Sequence, residues 1–322
     1  KVIQDLDNEL PEVAWDLLPM NKYLAHNWHC LGDLESRASY ASISTSLGCP
    51  YSCGFCCINA PFGKPQHRSW SSEWVLKQME ILSEKYGIKN LKIIDELFVF
   101  KPEEFMPIVN GMIERGYGFN SWAYARVDNT KEEQLSSLKK AGINWLALGI
   151  ESGSDEVRKG VVKGRFADED IREKVEKIKK HGLNAGGNYI FGLPQDTFTT
   201  MGQTLDLALD LNCEWGNFYC AMAYPGSRLH EEMITKGIKL PEDDGYPGWI
   251  GYSQHSYETT PLPTDSLSSA QVLGFRDMAF DSYFKGQRYL NMVENKFGLK
   301  ARRHLEEMTQ IKLKRRLLGD KQ

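Results

Sequence analysis

No apolar run in the 322-residue sequence approaches the ~18 residues a helix needs to span a bilayer, and the N-terminus carries no secretory h-region. No Asn-x-Ser/Thr sequon occurs. Charge of one sign is not in excess: Lys+Arg 39 against Asp+Glu 43 gives −4, which offers no electrostatic footprint for nucleic acid or an anionic membrane. A P-loop, Gly-x-Gly-x-x-Gly, His-Glu-x-x-His and Gly-x-Ser-x-Gly are all missing, so the common nucleotide, zinc-protease and hydrolase motifs are excluded. Cysteine is sparse, seven in all, and the odd number does not suit a secreted disulfide framework.

What is present is ordinary globular composition, 41% hydrophobic and 25% charged, at a length that suits one large α/β barrel or two modest domains. A cytoplasmic enzyme is the expectation. The chain starts at Lys1 rather than Met, and its first stretch, with Pro11, Pro19 and many acids, reads as a linker belonging to something longer.

Strand and helix signals then alternate. Tyr40–Leu47 alternates like a strand, and a helix from about Ser71 places Val75, Met79, Leu82 and Tyr86 on one face. Leu91–Ile94 is a short strand, and Pro102 opens a helix that closes near Gly116. After the strand-like FNSWAYA, Thr130 and Glu133 predict a capping box. Asn144–Ile150, Asn184–Phe191 and Trp215–Ala221 continue the strands, with helices holding Ile171, Val175 and Ile178, then Met201, Leu205 and Leu209. About six strand–helix units predict an α/β fold, a partial (β/α)6 parallel barrel, with a C-terminal helical extension. The expected boundaries are 1–38 linker, 39–240 barrel core and 241–322 irregular segment plus helices. The basic end, Lys312, Lys314, Arg315 and Arg316, reads as a solvated helix face.

Four of the seven cysteines fall between positions 49 and 57. Cys49, Cys53 and Cys56 form C-x3-C-x2-C directly after a strand, with Gly48 and Gly54 giving the loop freedom and Phe55 able to shield it from water. A structural zinc site closes its tetrahedron with four ligands, and ferredoxin-type clusters also use four cysteines. Three thiolates suit three irons of a 4Fe–4S cluster, leaving the fourth iron open. Cys57 or His67 as a fourth ligand keeps a structural zinc- or iron–sulfur-binding module open as the non-catalytic alternative.

This segment resembles the cluster loop of the radical S-adenosylmethionine superfamily, C-x3-C-x-aromatic-C at the end of the first barrel strand. The resemblance continues through HRSWSSEWVLKQMEIL, IIDELF, YARVD, GIESGS, YIFGLP and AYPGSRL, covering about residues 10 to 235. LPEVAWDLLPM is similar to the linker of the subgroup whose members carry a cobalamin-binding domain before the barrel, a domain this chain does not contain. The sequence departs at Gln195-Asp196, where that subgroup usually has Gly-Glu.

The resemblance implies a radical SAM-type barrel, a 4Fe–4S cluster on Cys49, Cys53 and Cys56, and S-adenosylmethionine (SAM) chelating the open iron. Reductive cleavage of SAM to a 5′-deoxyadenosyl radical would serve methyl transfer or another C–H modification of a small molecule. Cobalamin would act through the upstream domain; a SAM-cleaving enzyme without cobalamin is the other reading. An electron donor such as flavodoxin or ferredoxin is implied, with no nucleic acid or membrane partner. Asp95 and Glu96 after the second strand would accept from the methionine ammonium, and Arg126 would pair with its carboxylate or, equally, with Asp128 or Glu133. Glu151 and Ser152 would hold the ribose, or Ser152 or Ser154 would simply cap a helix. Gly192 would lie against the adenine, and Lys163 and Arg165 would reach the anionic end of the cofactor. Tyr189, Tyr219, Cys220 and Tyr224 read as core residues before substrate contacts, and His26, His29 and Cys30 as structural. No catalytic acid or base is assigned.

Overall fold

The computed structural model describes residues 2–163 and 167–321. Strands β1 (Tyr40–Ile43), β2 (Asn90–Ile93), β3 (Asn120–Arg126), β4 (Ile143–Glu151), β5 (Asn184–Phe191) and β6 (Trp215–Cys220) form one sheet in sequential order. The pairings β1–β2, β2–β3 and β3–β4 are parallel, with Asn90 opposite Asn120 and Trp122 opposite Trp145. Parallel neighbours require crossovers, which α1 (Ser72–Glu80), α2 (Pro102–Arg115), α3 (Glu132–Lys140), α4 (Asp155–Gly160), α5 (Asp168–Lys180) and α6 (Phe198–Leu211) supply. Helices α7 (Arg228–Thr235), α8 (Ser269–Phe284), α9 (Gln287–Phe297) and α10 (Leu299–Met308) follow. The expected (β/α)6 order with a helical extension is therefore present. No described helix is long and apolar enough to cross a membrane.

The chain forms two compact units, one of Lys1–Pro50, Pro65–Gly149 and Asp170–Gly186, the other of Tyr51–Lys64, Ile150–Glu169 and Gly187–Gln322. In the first, Val75, Met79 and Leu82 are fully buried as the periodicity of α1 predicts, and the helix runs on as a π-turn through Ile81–Lys85. The predicted capping box is not made. Lys131 precedes α3 without a side-chain cap, and the Thr130 hydroxyl instead donates back to the Arg126 carbonyl at 2.8 Å. A tighter local bond to the strand end has displaced the cap.

The strand starts of this unit are tied together by asparagines. Asn144 Nδ2 donates to Asn120 Oδ1 (3.0 Å) and Asn120 Nδ2 to Asn90 Oδ1 (3.1 Å), a ladder running across three strands. The same amides reach the N-terminal stretch: Asn120 Nδ2 donates to the His29 carbonyl at 3.0 Å, Asn90 Nδ2 to that of Ser36 at 2.6 Å, and the Cys30 thiol to Asn90 Oδ1 at 3.2 Å. Trp28 then sets its ring edge-on to both Trp122 and Trp145, with centroids 5.1 and 5.2 Å away. Trp15 Nε1 donates to Gln78 Oε1 at 2.9 Å. The stretch read as a linker thus makes specific buried bonds.

In the second unit, Arg276 Nε donates to the Phe218 carbonyl of β6, and Tyr283 and Tyr289 donate to the carbonyls of Cys213 and Glu214. Helix α9, which the sequence pattern did not announce, supplies Tyr289. The reading of Arg315 as solvated is wrong. It is 1% exposed, grips both Asp277 carboxylate oxygens at 3.0 and 3.1 Å, and donates to the carbonyls of Gln254 and Ser256. A guanidinium has five donors, and four bonds of this fork fix the tail against α8.

His29 is 2% exposed, and neither ring nitrogen has a hydrogen-bond partner among the described residues. Burial, helped by nearby His26 and Lys92, lowers its pKa from 6.5 to about 4. The folded state then binds fewer protons than the unfolded chain, so this stability is full above pH 6.5 and is lost as pH falls toward about 4. The shift corresponds to about 3 kcal/mol. A His29→Phe protein should therefore lose less unfolding free energy between pH 7 and pH 4.5 than the parent in urea titrations. An unchanged pH slope would refute the assignment.

Candidate functional site

The polypeptide approaches the cysteines from a locked strand end. After β1, Thr45 donates to Asp95 through both its amide (2.6 Å to Oδ1) and its hydroxyl (2.5 Å to Oδ2), and the Ser46 hydroxyl reaches Oδ2 at 2.6 Å. Asp95 is 1% exposed. Burial raises its pKa while these donors pull the other way. Ser46–Leu47 then pairs antiparallel with Arg68–Ser69, and Gly48 turns the chain at φ +80°, a left-handed conformation that favours glycine, immediately before Cys49.

Glu96, one residue on, is in a different state. Its Oε2 is buried without a hydrogen-bond partner among the described residues. Burial raises its pKa, and the charge of Asp95 adds to the shift. Of the acid pair, Asp95 is spent on its own fold and Glu96 keeps an open acceptor. Arg126, 6% exposed, makes the local ion pair: Nε and Nη2 reach the two oxygens of Asp128 at 2.9 and 2.8 Å.

The rest of the loop belongs to the second unit. Gly54 donates its amide to the Val161 carbonyl and accepts from the Leu229 amide, both at 2.8 Å, so the segment carrying Cys53 and Cys56 is pinned at its middle. Phe55 packs against Val161, Leu193 and Ala221 on one side and against Ala223, Leu229 and Met233 on the other. Cys53 and Cys57 are half-buried, Cys56 is exposed, and no described cysteine is in a disulfide. Among the described residues, no three His, Cys, Asp or Glu side chains converge into a metal-holding group. The donor set nonetheless fits an iron–sulfur cluster in its chemistry: three cysteines stand on one short loop whose middle is held by the two Gly54 backbone bonds.

Beyond β4 the second unit holds Glu151 in an unusual backbone state, φ +66° for a residue with a Cβ, a strain typical of functional sites. Its Oε1 pairs with Lys163 Nζ at 2.8 Å, both side chains nearly buried. Ser152 contacts the Thr204 hydroxyl at 3.2 Å and accepts from the Ser154 amide, while Ser154 is the N-cap of α4. Arg165 lies outside the described residues. At Gly192, φ +81°, a Cβ would stand 2.4 Å from Val272 Cγ1 of α8, so packing against that helix requires glycine here. Asp196 closes the following turn by accepting from the Gly192 and Leu193 amides, both at 3.0 Å.

Of the four residues read as core first, Tyr189 and Cys220 are buried, Tyr189 stacked on Phe218. Tyr219, Cys220 and Tyr224 line a cavity of about 240 Å³ together with Phe55, Ile190, Ala221, Met222 and Gln254. Gln254 was missed because it sits in the irregular segment, where no periodicity points to it. Thr45 and Ser46 were missed too, because their partner Asp95 lies some fifty residues away in sequence. A larger cavity, about 1280 Å³, lies in the extension around Leu240, Trp249 and Arg316 and touches none of the predicted site residues.

Residues 43–208, just over half of the chain, match the Radical SAM superfamily. An uncharacterized methyltransferase of Pyrococcus horikoshii is 32% identical over 239 residues, covering 74% of this chain and 49% of the relative. The radical SAM methyltransferase TsrM from Kitasatospora setae, solved with cobalamin and a 4Fe–4S cluster, aligns with a TM-score of 0.57 at 21% identity, over 63% of this chain and 38% of that one. The cobalamin-dependent radical enzyme OxsB, solved with aqua-cobalamin and SAM, aligns with a TM-score of 0.57 at 16% identity, over 87% and 46%. Both solved structures bear on the fold alone. The chain spans about half the length of the first of these relatives and less than half of either solved structure. A 4Fe–4S cluster and SAM are the cofactors of the matched family. With the three-cysteine loop inside the matched span, which covers just over half of the chain, the chain belongs to the radical SAM superfamily.

Proposed function

We propose that this chain is the radical module of an enzyme that cleaves SAM reductively and uses the resulting radical to activate a small molecule for methyl transfer or another C–H modification. The observation that carries the reading is the C-x3-C-x2-C loop at the end of the first strand, inside the span that matches the family. Cys49, Cys53 and Cys56 would hold the cluster. When bound, the cluster supplies one electron that splits the sulfonium carbon–sulfur bond of SAM, leaving methionine and a 5′-deoxyadenosyl radical.

The remaining work falls to the chain. Glu96, whose buried Oε2 lacks a donor among the described residues, would accept from the methionine ammonium, forming a charge-assisted bond where one is missing. Asp95 would keep the first strand end in place and not touch the cofactor. Lys163, in its pair with Glu151, and the turn at Gly192 would frame the nucleoside end. Phe55 would exclude water from the loop. Methyl transfer is supported by the methyltransferase relative, and cobalamin is the further cofactor this reading would call on. The electron would come from a small donor protein such as a flavodoxin or ferredoxin, in the cytoplasm.

Anaerobic reconstitution should give about four irons per chain and broad absorbance near ~400 nm, and reductant should then convert SAM to 5′-deoxyadenosine. A Cys53→Ala protein that still made 5′-deoxyadenosine would sink the cluster assignment. The two acids should also separate. Asp95→Ala strands three donors of a buried site and should cost about 3 kcal/mol in urea unfolding of the cofactor-free chain. Glu96→Gln should stay within about 1 kcal/mol of the parent in that assay, yet weaken SAM binding by roughly tenfold in calorimetry of the reconstituted chain. Equal stability losses for both would refute this division of roles.

A further inference from the structure

The first compact unit carries a row of side chains that the cofactor reading does not use. Ala41, Ile43, Leu91 and Ile93 are buried on one face of β1 and β2, so period-two alternation turns Tyr40, Ser42 and Lys92 to the other. The register then lines up Ser42 with Lys92, Lys92 with Trp122, and Trp122 with Trp145. Lys92 Nζ stands 4.5 Å from the centroid of the Trp122 ring, a cation–π contact. Two residues further along the strands, Ile94 and Tyr124 carry the same face on as apolar surface. Ile94 is 42% exposed, and the Tyr124 ring lies 4.8 Å from that of Trp122.

The row is rich in donors and holds no carboxylate. Lys92 is half-buried, burial lowers its pKa, and no Asp or Glu stands within ion-pair distance of its ammonium among the described residues. Trp122 is 3% exposed, and its indole Nε1 is buried without a hydrogen-bond partner among the described residues. The Tyr40 and Ser42 hydroxyls share one hydrogen bond at 2.9 Å, which leaves one of their two protons to donate elsewhere. Neighbouring histidines add no charge. Desolvation, with the charges of Lys92 and Arg37, lowers the pKa of His26, and burial takes His29 down to about 4. A half-buried ammonium and a buried indole N–H have both given up hydration without gaining an acceptor, and an anion beside them supplies it. Lys92 brings a single positive charge to the row, which balances a carboxylate and leaves a phosphate dianion half compensated.

We infer that Lys92, with the indole N–H of Trp122 and the Tyr40–Ser42 hydroxyl pair, binds a carboxylate of the substrate, whose apolar body lies along Ile94 and Tyr124. Lys92 and Glu96 are four residues apart, at most about 14 Å of chain, so a molecule anchored here stays within reach of the proposed SAM contact. The word substrate rests on the proposed radical function, while the anion chemistry stands on the row itself.

The test uses the anaerobically reconstituted chain with SAM, and indole-3-acetate against indole-3-acetamide as probes that differ in charge and little in shape, with binding read by ligand-observed NMR. The carboxylate should bind at least about tenfold more tightly than the amide, and added salt should narrow the gap. Lys92→Met should remove the preference and Lys92→Arg should keep it. Trp122→Phe, which keeps a ring but no N–H, should weaken the carboxylate about threefold. In the parent, acetylation of Lys92 by acetic anhydride, followed by mass spectrometry, should be slowed by the carboxylate and not by the amide. Equal binding of the two probes overturns the inference, as does a folded Lys92→Met protein that retains the preference. If Lys92→Met does not fold by circular dichroism, protection of Lys92 in the parent decides. Formation of 5′-deoxyadenosine by the same preparation separates the two readings. Its absence beside selective carboxylate binding defeats the radical function alone, and its presence without selective binding defeats the Lys92 assignment alone.

Discussion

One buried carboxylate, Asp95, holds the end of the first strand, and the path of the chain into Cys49 follows from it. A buried Asp is costly unless its lone pairs are filled, and here two hydroxyls and an amide from Thr45 and Ser46 fill them. Those donors lie three and four residues before Cys49, so the bond network fixes where the chain leaves the sheet. Gly48 then turns it. The adjacent acid faces a different balance: Glu96 shares the strand end yet has an oxygen with no described donor. Two neighbouring carboxylates, one saturated and one open, are what a strand end needs to be rigid and receptive at once.

The other ends of the same strands are built differently. Asn90, Asn120 and Asn144 join neutral amides in a row, and those amides also hold the backbone around His29 and Ser36. Trp28, Trp122 and Trp145 pack edge to face beside them. The His29 ring, buried there without a hydrogen-bond partner among the described residues, is kept neutral by its surroundings. Parallel α/β folds commonly divide labour this way, with stability at the strand starts and chemistry at the strand ends.

The strand–helix rhythm was legible because parallel crossovers write a repeating pattern of short apolar strands and 3.6-period helices, as at Leu91–Ile94 and at Val75, Met79 and Leu82. The cysteine spacing was legible because ligands on one loop are close in sequence. What stayed hidden were partners joined across long separations. Asp95 was expected to face a ligand, yet Thr45 and Ser46, some fifty residues earlier, use it. Arg126 took Asp128, one of the two local acids expected beside the methionine carboxylate. Thr130 had the capping-box sequence, but its hydroxyl found the Arg126 carbonyl first. Arg315 looked like one more cation in a basic tail, because no local pattern reveals that Asp277 stands opposite it.

Gly192 and Asp196 show why the extension belongs with the second unit's chemistry and is not an appendage. After this strand the chain carries Gln195-Asp196, and the Asp196 carboxylate closes the turn by accepting from the Gly192 and Leu193 amides. Burial dominates over those bonds and raises its pKa to about 6, so the turn is held by an acid at the edge of ionisation. The glycine itself is demanded by Val272, a residue of α8. The same helix carries Asp277, which anchors Arg315, which in turn holds the Gln254 backbone against the cavity wall. A substitution in α8 that moved Val272 would therefore reach the β5 turn, and one that moved Asp277 would reach the Gln254 backbone through Arg315. The extension acts on the strand ends through packing and through one guanidinium.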